Sequence, residues 1–328
     1  MGGVTGGAHA EQATGDRMRI GIDVGGTKTH GIALGDGGQV VAEVRVPTGR
    51  GADGVLGSTR SVVRDLVAAT GTAAGAIRSV GVGIPGVVDP DTGTVSHAVN
   101  LGFAELELGR RLAADLGVPV RVDNDVNAAA LGAVRMLPEL PHAVAYLNVG
   151  TGLAAGVVVD GHVLRGSTGT AGEIGHIPVD PAGLVCTCGQ RGCLETVASG
   201  NALLARWPAG AERPIVALNA AADAGDAVAA GVRDALVDGI ATAVQLLLLT
   251  LDTDLVLVGG GMMSDGAATV DRVRADLAAR SARSPFLASV RLPDRLRLAP
   301  PSSTVSALGA ALLASEDDPT TRPTPWRT

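Results

Sequence analysis

The chain reads as an α/β protein built as two domains. Three observations predict this. Short β-branched runs alternate with Ala/Leu-rich stretches of helical spacing from Met18 onward. A strand, a glycine-rich turn and a return strand open the first half, and the same pattern opens the second. The 328 residues exceed the roughly 250–300 that one hydrophobic core accommodates.

Taken in order, MRIGIDVGG is a buried strand running into a glycine turn, and THGIALGDGGQVVAEVRV is two strands joined at Gly35–Gly38. Gly54 to Thr70 has helical spacing, with Val55, Val62, Val63 and Leu66 on one face. SVGVGIPG is a strand and turn, Pro90 to Gly93 a turn, and Leu108 to Leu116 a helix. The strand VPVRVDN then leads into a helix from Val126 to Val134. Two prolines in LPELPH break the chain between Met136 and His142, which sets the expected boundary between a domain of 18–136 and one of 137–301. Beyond it, AVAYLNVGTGLAAGVVVDGHVLRG repeats the strand–turn–strand pattern, with a turn at Asp160-Gly161. Ile240 to Val258 reads as a buried helix followed by a strand. Residues 1–17 are expected to be a disordered, Gly-rich leader and 316–328 a polar, Pro-containing disordered tail.

Composition narrows the function. A net charge of −7 and 2% aromatic residues give neither the basic footprint of a duplex binder nor the stacking platform of a single-strand binder, so nucleic acid is not an expected partner. No run of about 18 uncharged apolar residues predicts a membrane span, and the first residues lack the apolar core of a signal peptide. All three cysteines fall within eight residues, which fits a reduced, cytoplasmic metal site better than a disulfide framework.

Three glycine turns follow strands: Asp23-Val-Gly25-Gly26-Thr27-Lys28, Gly150-Thr151-Gly152 and Gly259-Gly260-Gly261. Glycines let backbone N–H groups approach phosphate oxygens, Thr27 adds a hydroxyl, and Asp23 can hold the Mg²⁺ that accompanies a nucleotide. The first turn alone reads equally as an ordinary hairpin. Lys28 is the only lysine in the chain, the other basic side chains being arginine. A GxGxxG fingerprint is absent after the first strand, which argues against a dinucleotide-binding dehydrogenase.

Gly172-Glu-Ile-Gly-His176 precedes Cys186-Thr-Cys188-Gly-Gln-Arg-Gly-Cys193-Leu-Glu195. His176, Cys186, Cys188 and Cys193 fall within 18 residues and form a ligand count suited to one tetrahedral, structural Zn²⁺. Gly189 and Gly192 permit the turns such a loop needs. Four protein ligands leave no open position for water, so a zinc hydrolase is excluded on its chemistry. The run Asp123-Asn124-Asp125-Val-Asn127 stands at the end of an apolar strand, where α/β sheets bind ligands, and by itself it also fits a turn with a helix N-cap.

Together these motifs resemble the ROK family of sugar kinases and regulators. IGIDVGGTKT resembles the family's first phosphate-binding hairpin, LNVGTGLAAGVVVDGHVLRG with AGEIGH its signature stretch, and CxCGxxGC after GH its zinc motif; the likeness runs from about Met18 to Leu313. The resemblance implies an actin-like, hexokinase and ribonuclease H-like fold. It has a ligand cleft between two domains, the first completed by a C-terminal helix at 302–315. The implied activity is ATP-dependent phosphorylation of a hexose or amino sugar, by a homodimer or homotetramer. It further implies Asp125 as the base and Asn124 and Asn100 as sugar contacts. His176 would bind both zinc and sugar, with Glu173 and Glu195 beside it. Two departures stand out. Family glucokinases carry more glycine after GTG, where this chain has Ala154 and Ala155, and a tryptophan shortly after the asparagine, where this chain has Phe103. The second leaves glucose, N-acetylglucosamine, mannose-type and amino sugars open. The family's repressors carry an N-terminal helix-turn-helix module, which residues 1–17 do not resemble.

Overall fold

A computed structural model describes residues 17–71, 74–208, 213–263, 266–300 and 304–314. All but Arg17 of the expected leader, and the whole of the expected tail, lie outside the described residues. The first half runs β1 (Met18–Val24), β2 (Lys28–Leu34), β3 (Val40–Pro47), α1 (Gly51–Thr70), β4 (Ile77–Ile84), then three two-residue strands β5 (Val87–Val88), β6 (Val95–Ser96) and β7 (Glu105–Leu106). After these come α2 (Leu108–Leu116), β8 (Val120–Asn124) and α3 (Asp125–Arg135). The second half runs β9 (Ala143–Val149), β10 (Leu153–Val159), β11 (His162–Val163), α4 (Gly200–Arg206), α5 (Pro214–Asp223), α6 (Ala227–Leu251) and β12 (Leu255–Gly259). It closes with α7 (Ala267–Ala282), α8 (Pro285–Val290), β13 (Leu296–Leu298) and α9 (Val305–Leu313).

The two main sheets share one topology. Their strand orders are β3-β2-β1-β4-β8 and β11-β10-β9-β12-β13. In each, three antiparallel strands are followed by two parallel ones. The repeat read from the glycine turns is therefore a repeat of the whole sheet. A third, small sheet, β5-β6-β7, stands beside the first.

Local chemistry accounts for the elements. The apolar face of α1 buries Val55, Val62, Val63 and Leu66, and Gly71 ends the helix at φ 64°, donating its N–H to Ala68 O. The helix begins at Gly51, one turn earlier than the spacing predicts. At its other end the first half is closed by α3, whose N-cap Asn124 accepts the Val126 N–H. By length and composition α6 could cross a membrane. In this fold its Leu236, Ile240, Val244, Leu247 and Leu248 are buried in the second core. The helix stops at Asp252, φ 47°, and the predicted strand follows as β12.

Two helices join the sheets. A Cβ at Gly21 would lie 1.9 Å from Ala307 O and one at Gly81 1.7 Å from Ala310 O, so α9 lies directly on the backbone of β1 and β4. Helices α3 and α9 cross where a Cβ at Gly309 would meet Ala128 O at 1.7 Å and one at Gly132 would meet Val305 O at 2.0 Å. On its other side α3 rests on β10, where a Cβ at Gly156 would come 2.7 Å from Val126 O. A separate core of Val126, Ala130, Leu131, Val144, Tyr146, Val158, Leu257, Val305 and Ala310 fills the space between the halves. The N-terminus of α3 thus emerges where the two sheets meet.

Candidate functional site

Asp125 is the first residue of α3. Asn124 aims it: its Oδ1 accepts the Val126 N–H at 2.8 Å while its Nδ2 donates to Gly86 O at 3.1 Å. Burial pushes the Asp125 carboxyl up to about 6, with Glu173 adding to the rise and the Val126 N–H opposing it. Asp23, at the end of β1, is pushed up to about 7 by burial and then by the charge of Asp125. Glu173 is also raised, first by burial; His176 opposes the rise and Glu195 adds to it. Acids distant in the chain therefore converge on one place, which favours a proton, a cation or hydroxyl donors among them.

The glycine turns surround this cluster. In the first, the Gly25 N–H donates to Lys28 O at 2.9 Å, while the space where a Cβ at Gly26 would stand is open and Thr27 and Lys28 are exposed. In the second, the Gly150 N–H donates to Gly152 O at 3.0 Å, and the start of α4 steadies the turn through Gly200 N–H to Gly150 O, 2.8 Å, and Asn201 N–H to Thr151 O, 3.1 Å. Gly152 has a reason to be glycine: a Cβ there would stand 2.4 Å from Glu195 Oε2, which accepts the Leu153 N–H at 3.0 Å. Ala154 and Ala155 are accommodated, and β9 and β10 pair in full register around the turn. In the third, Gly260 has φ 96° and a Cβ on it would lie 2.6 Å from Asn148 Oδ1. Tyr146, the only tyrosine in the chain, links this turn to the acids. Its hydroxyl lies 2.4 Å from where a Gly259 Cβ would be and accepts the Gly260 N–H. Burial raises its phenol to about 12, and Asp23 and Asp125 add to the rise.

The donor atoms of His176, Cys186, Cys188 and Cys193 lie within 4.8 Å of one another. Cys186 Sγ is 3.7 Å from His176 Nδ1, and Cys188 Sγ is 3.6 Å from Cys193 Sγ. A tetrahedron with metal–sulfur bonds of about 2.3 Å has edges of about 3.8 Å, which these two separations match, so a small closing of the loop would seat one ion among the four donors. The loop closes through Gly189 at φ 91° and Gly192 at φ 75°; a Cβ at Gly192 would stand 1.6 Å from Asp180 O. Nδ1 of His176 faces the sulfurs and Nε2 faces Glu173 Oε2 at 4.0 Å. The ring thereby connects the candidate metal donors to the acid cluster.

Asn100 lies exposed on the single helical turn Val99–Leu101, and no described hydrogen bond ties it to the acids. Phe103 packs against the first core. Asp123 is engaged by three donors: Asn124 N–H at 2.7 Å and Asn127 Nδ2 at 2.8 Å on Oδ1, and Arg165 Nε at 2.7 Å on Oδ2. Tyr146 and Arg165 were not singled out from the sequence. The uniqueness of Tyr146 is a signal that could have found it; Arg165 is one of many arginines.

Comparison with known proteins agrees with this geometry. The ROK family profile matches residues 19–317. A glucokinase of Halalkalibacterium halodurans is 33% identical over 271 residues, covering 76% of this chain and 82% of the relative. The N-acetyl-D-glucosamine kinase of Shigella sonnei is 35% identical over 274 residues, covering 77% and 86%. The crystal structure of a ROK family glucokinase from Streptomyces griseus, in complex with glucose and AMPPNP, matches with a TM-score of 0.72 at 29% identity, over 91% of this chain and 99% of that one. The doubled sheet is accordingly the actin-like fold of these kinases, and the chain belongs to the ROK family.

Proposed function

We propose that the protein is an ATP-dependent kinase that phosphorylates the 6-hydroxyl of glucose or a related hexose, with Asp125 as the base. The observation that carries this reading is the placement of Asp125. It is a carboxylate raised to about 6 at the head of α3, facing Asp23 and Glu173 where the two sheets meet. A base tuned near neutral pH can accept the hydroxyl proton as the oxygen attacks. Phosphoryl transfer otherwise asks for positioning and charge neutralisation. Asp23 would hold the Mg²⁺ of the nucleotide, and the turns at Gly25-Gly26, Thr27-Lys28, Gly150-Thr151-Gly152 and Gly259-Gly260 would receive its phosphates. Asn124, Glu173, Glu195, His176 and Asn100 would receive the sugar hydroxyls. A structural Zn²⁺ on His176, Cys186, Cys188 and Cys193 would fix the tautomer of His176, leaving Nε2 directed at the sugar.

An amino-sugar substrate such as N-acetylglucosamine or N-acetylmannosamine is the second reading. It is favoured by Phe103 in place of the tryptophan and by 35% identity to an N-acetyl-D-glucosamine kinase. A coupled ADP assay over a panel of hexoses and amino sugars tests both readings. Turnover is expected with one class and not without sugar, and no sugar-dependent ADP from the whole panel would sink the kinase reading. Metal analysis should give about one zinc per chain, and Cys188→Ser should lower both zinc content and sugar affinity. A fully active, zinc-free wild type would refute the metal assignment.

A further inference from the structure

We propose that Asp123 and Arg165 form a clamp across the two halves of the protein that positions the Asp125 carboxylate. Resting on the assignment of Asp125 as base, this makes both of them positioning residues for the reaction. Asp123 is the next-to-last residue of β8 in the first sheet and Arg165 follows β11 at the edge of the second, 42 residues away. Their ion pair, Nε to Oδ2 at 2.7 Å, joins side chains that are 25% and 6% exposed. The guanidinium also reaches back to the strand it follows, at Val163 O, 3.4 Å.

The other oxygen of Asp123 holds the first turn of α3. It accepts from the Asn124 N–H on one side of Asp125 and from Asn127 Nδ2 on the other. Fixing residues 124 and 127 fixes the peptide that carries Asp125, so the direction of the base is tied through Asp123 to the second sheet. A buried pair of charges is a poor source of stability compared with apolar packing, whereas its directional bonds hold one geometry. Phosphoryl transfer depends steeply on such geometry: a displacement of about 1 Å at the reacting atoms can cost on the order of 10²-fold in rate.

The test combines steady-state kinetics with pH profiles. Arg165→Gln and Asp123→Asn are each expected to lower kcat by about 10²-fold with KM for ATP unchanged. Their acidic limbs should move in opposite directions. Asp125 is faced by Asp23 of β1, Glu173 of the metal loop and Tyr146 of β9, with the clamp pair beside it. Removing the Arg165 cation leaves the Asp123 charge uncompensated and moves the limb to higher pH; removing the Asp123 charge leaves the cation and moves it to lower pH. General structural damage would not produce opposite shifts. Arg165→Lys, which keeps the charge and loses the Nε geometry, should fall between wild type and Arg165→Gln, and it carries the test if Arg165→Gln does not fold. Wild-type kcat in these variants, or limbs that move together, would overturn the clamp while leaving the kinase reading standing. Absence of sugar-dependent turnover in the wild type would overturn both.

Discussion

Asp125→Asn is expected to lower kcat by about 10³-fold while sugar affinity and fold persist. The amide has the shape of the carboxylate, and its oxygen can still accept the Val126 N–H, which reaches Asp125 Oδ1 at 3.0 Å. The N-cap is supplied by Asn124 and is untouched. On the proposed mechanism, what disappears is the proton acceptor. In the wild type, kcat/KM should fall below a limb near pH 6, not near the ordinary carboxylate range, because burial has raised Asp125 to about 6. Stability follows the same shift with a definite sign. Asp23 and Asp125 both titrate higher folded than unfolded, so the folded state binds more protons between about pH 4 and 7. Their contribution is fully present below the unfolded values and is lost as pH rises through 6 to 7. The unliganded Asp125→Asn protein should therefore melt above wild type at pH 8 and show little advantage at pH 4. Thermal melts across that range check the sign, and substantial residual turnover would remove Asp125 as base.

Gly81→Ala is expected to cost about 3 kcal/mol or more, a large share of a typical total of about 5–15 kcal/mol. The new Cβ would lie 1.7 Å from Ala310 O. Both partners are backbone, of β4 and α9, so no rotamer change relieves the clash. Relief requires α9 to lift from the first sheet, and α9 also holds α3 through the Gly132–Gly309 crossing. The damage should therefore reach Asp125, and activity should fall together with the denaturation midpoint. Gly57→Ala is the control. It lies inside α1 with open space at its Cβ, and should gain up to about 1 kcal/mol from helix propensity. Equal stability of the two variants would refute backbone contact as the reason for glycine at position 81.

Much of the secondary structure was legible because its signals are local. The apolar face of α1, the helix Leu108–Leu116 and the helix-then-strand run from Ile240 to Val258 each depend on neighbours within a few turns. The Asp123–Asn127 run was readable as an N-cap for the same reason, and it is one. Less legible was which polar residue in that run does what. Asp123 and Asp125 have the same side chain two positions apart, but β8 presents the first to Arg165 and α3 presents the second to Asp23 and Glu173. That sorting depends on how the halves pack.

By itself the sequence determined the Cys/His loop, whose four candidate metal donors are brought together by glycine turns within one short segment, and the three strand-ending glycine turns. The tertiary structure alone decided that Asp23, Asp125, Glu173 and Glu195 share one place, that Tyr146 joins the third turn to them, and that α9 lies on the first sheet. The physical reason is range. Chain connectivity brings His176 close to Cys193, whereas residues as distant as Asp125 and Glu173 come within electrostatic reach only after two sheets have packed around α3 and α9.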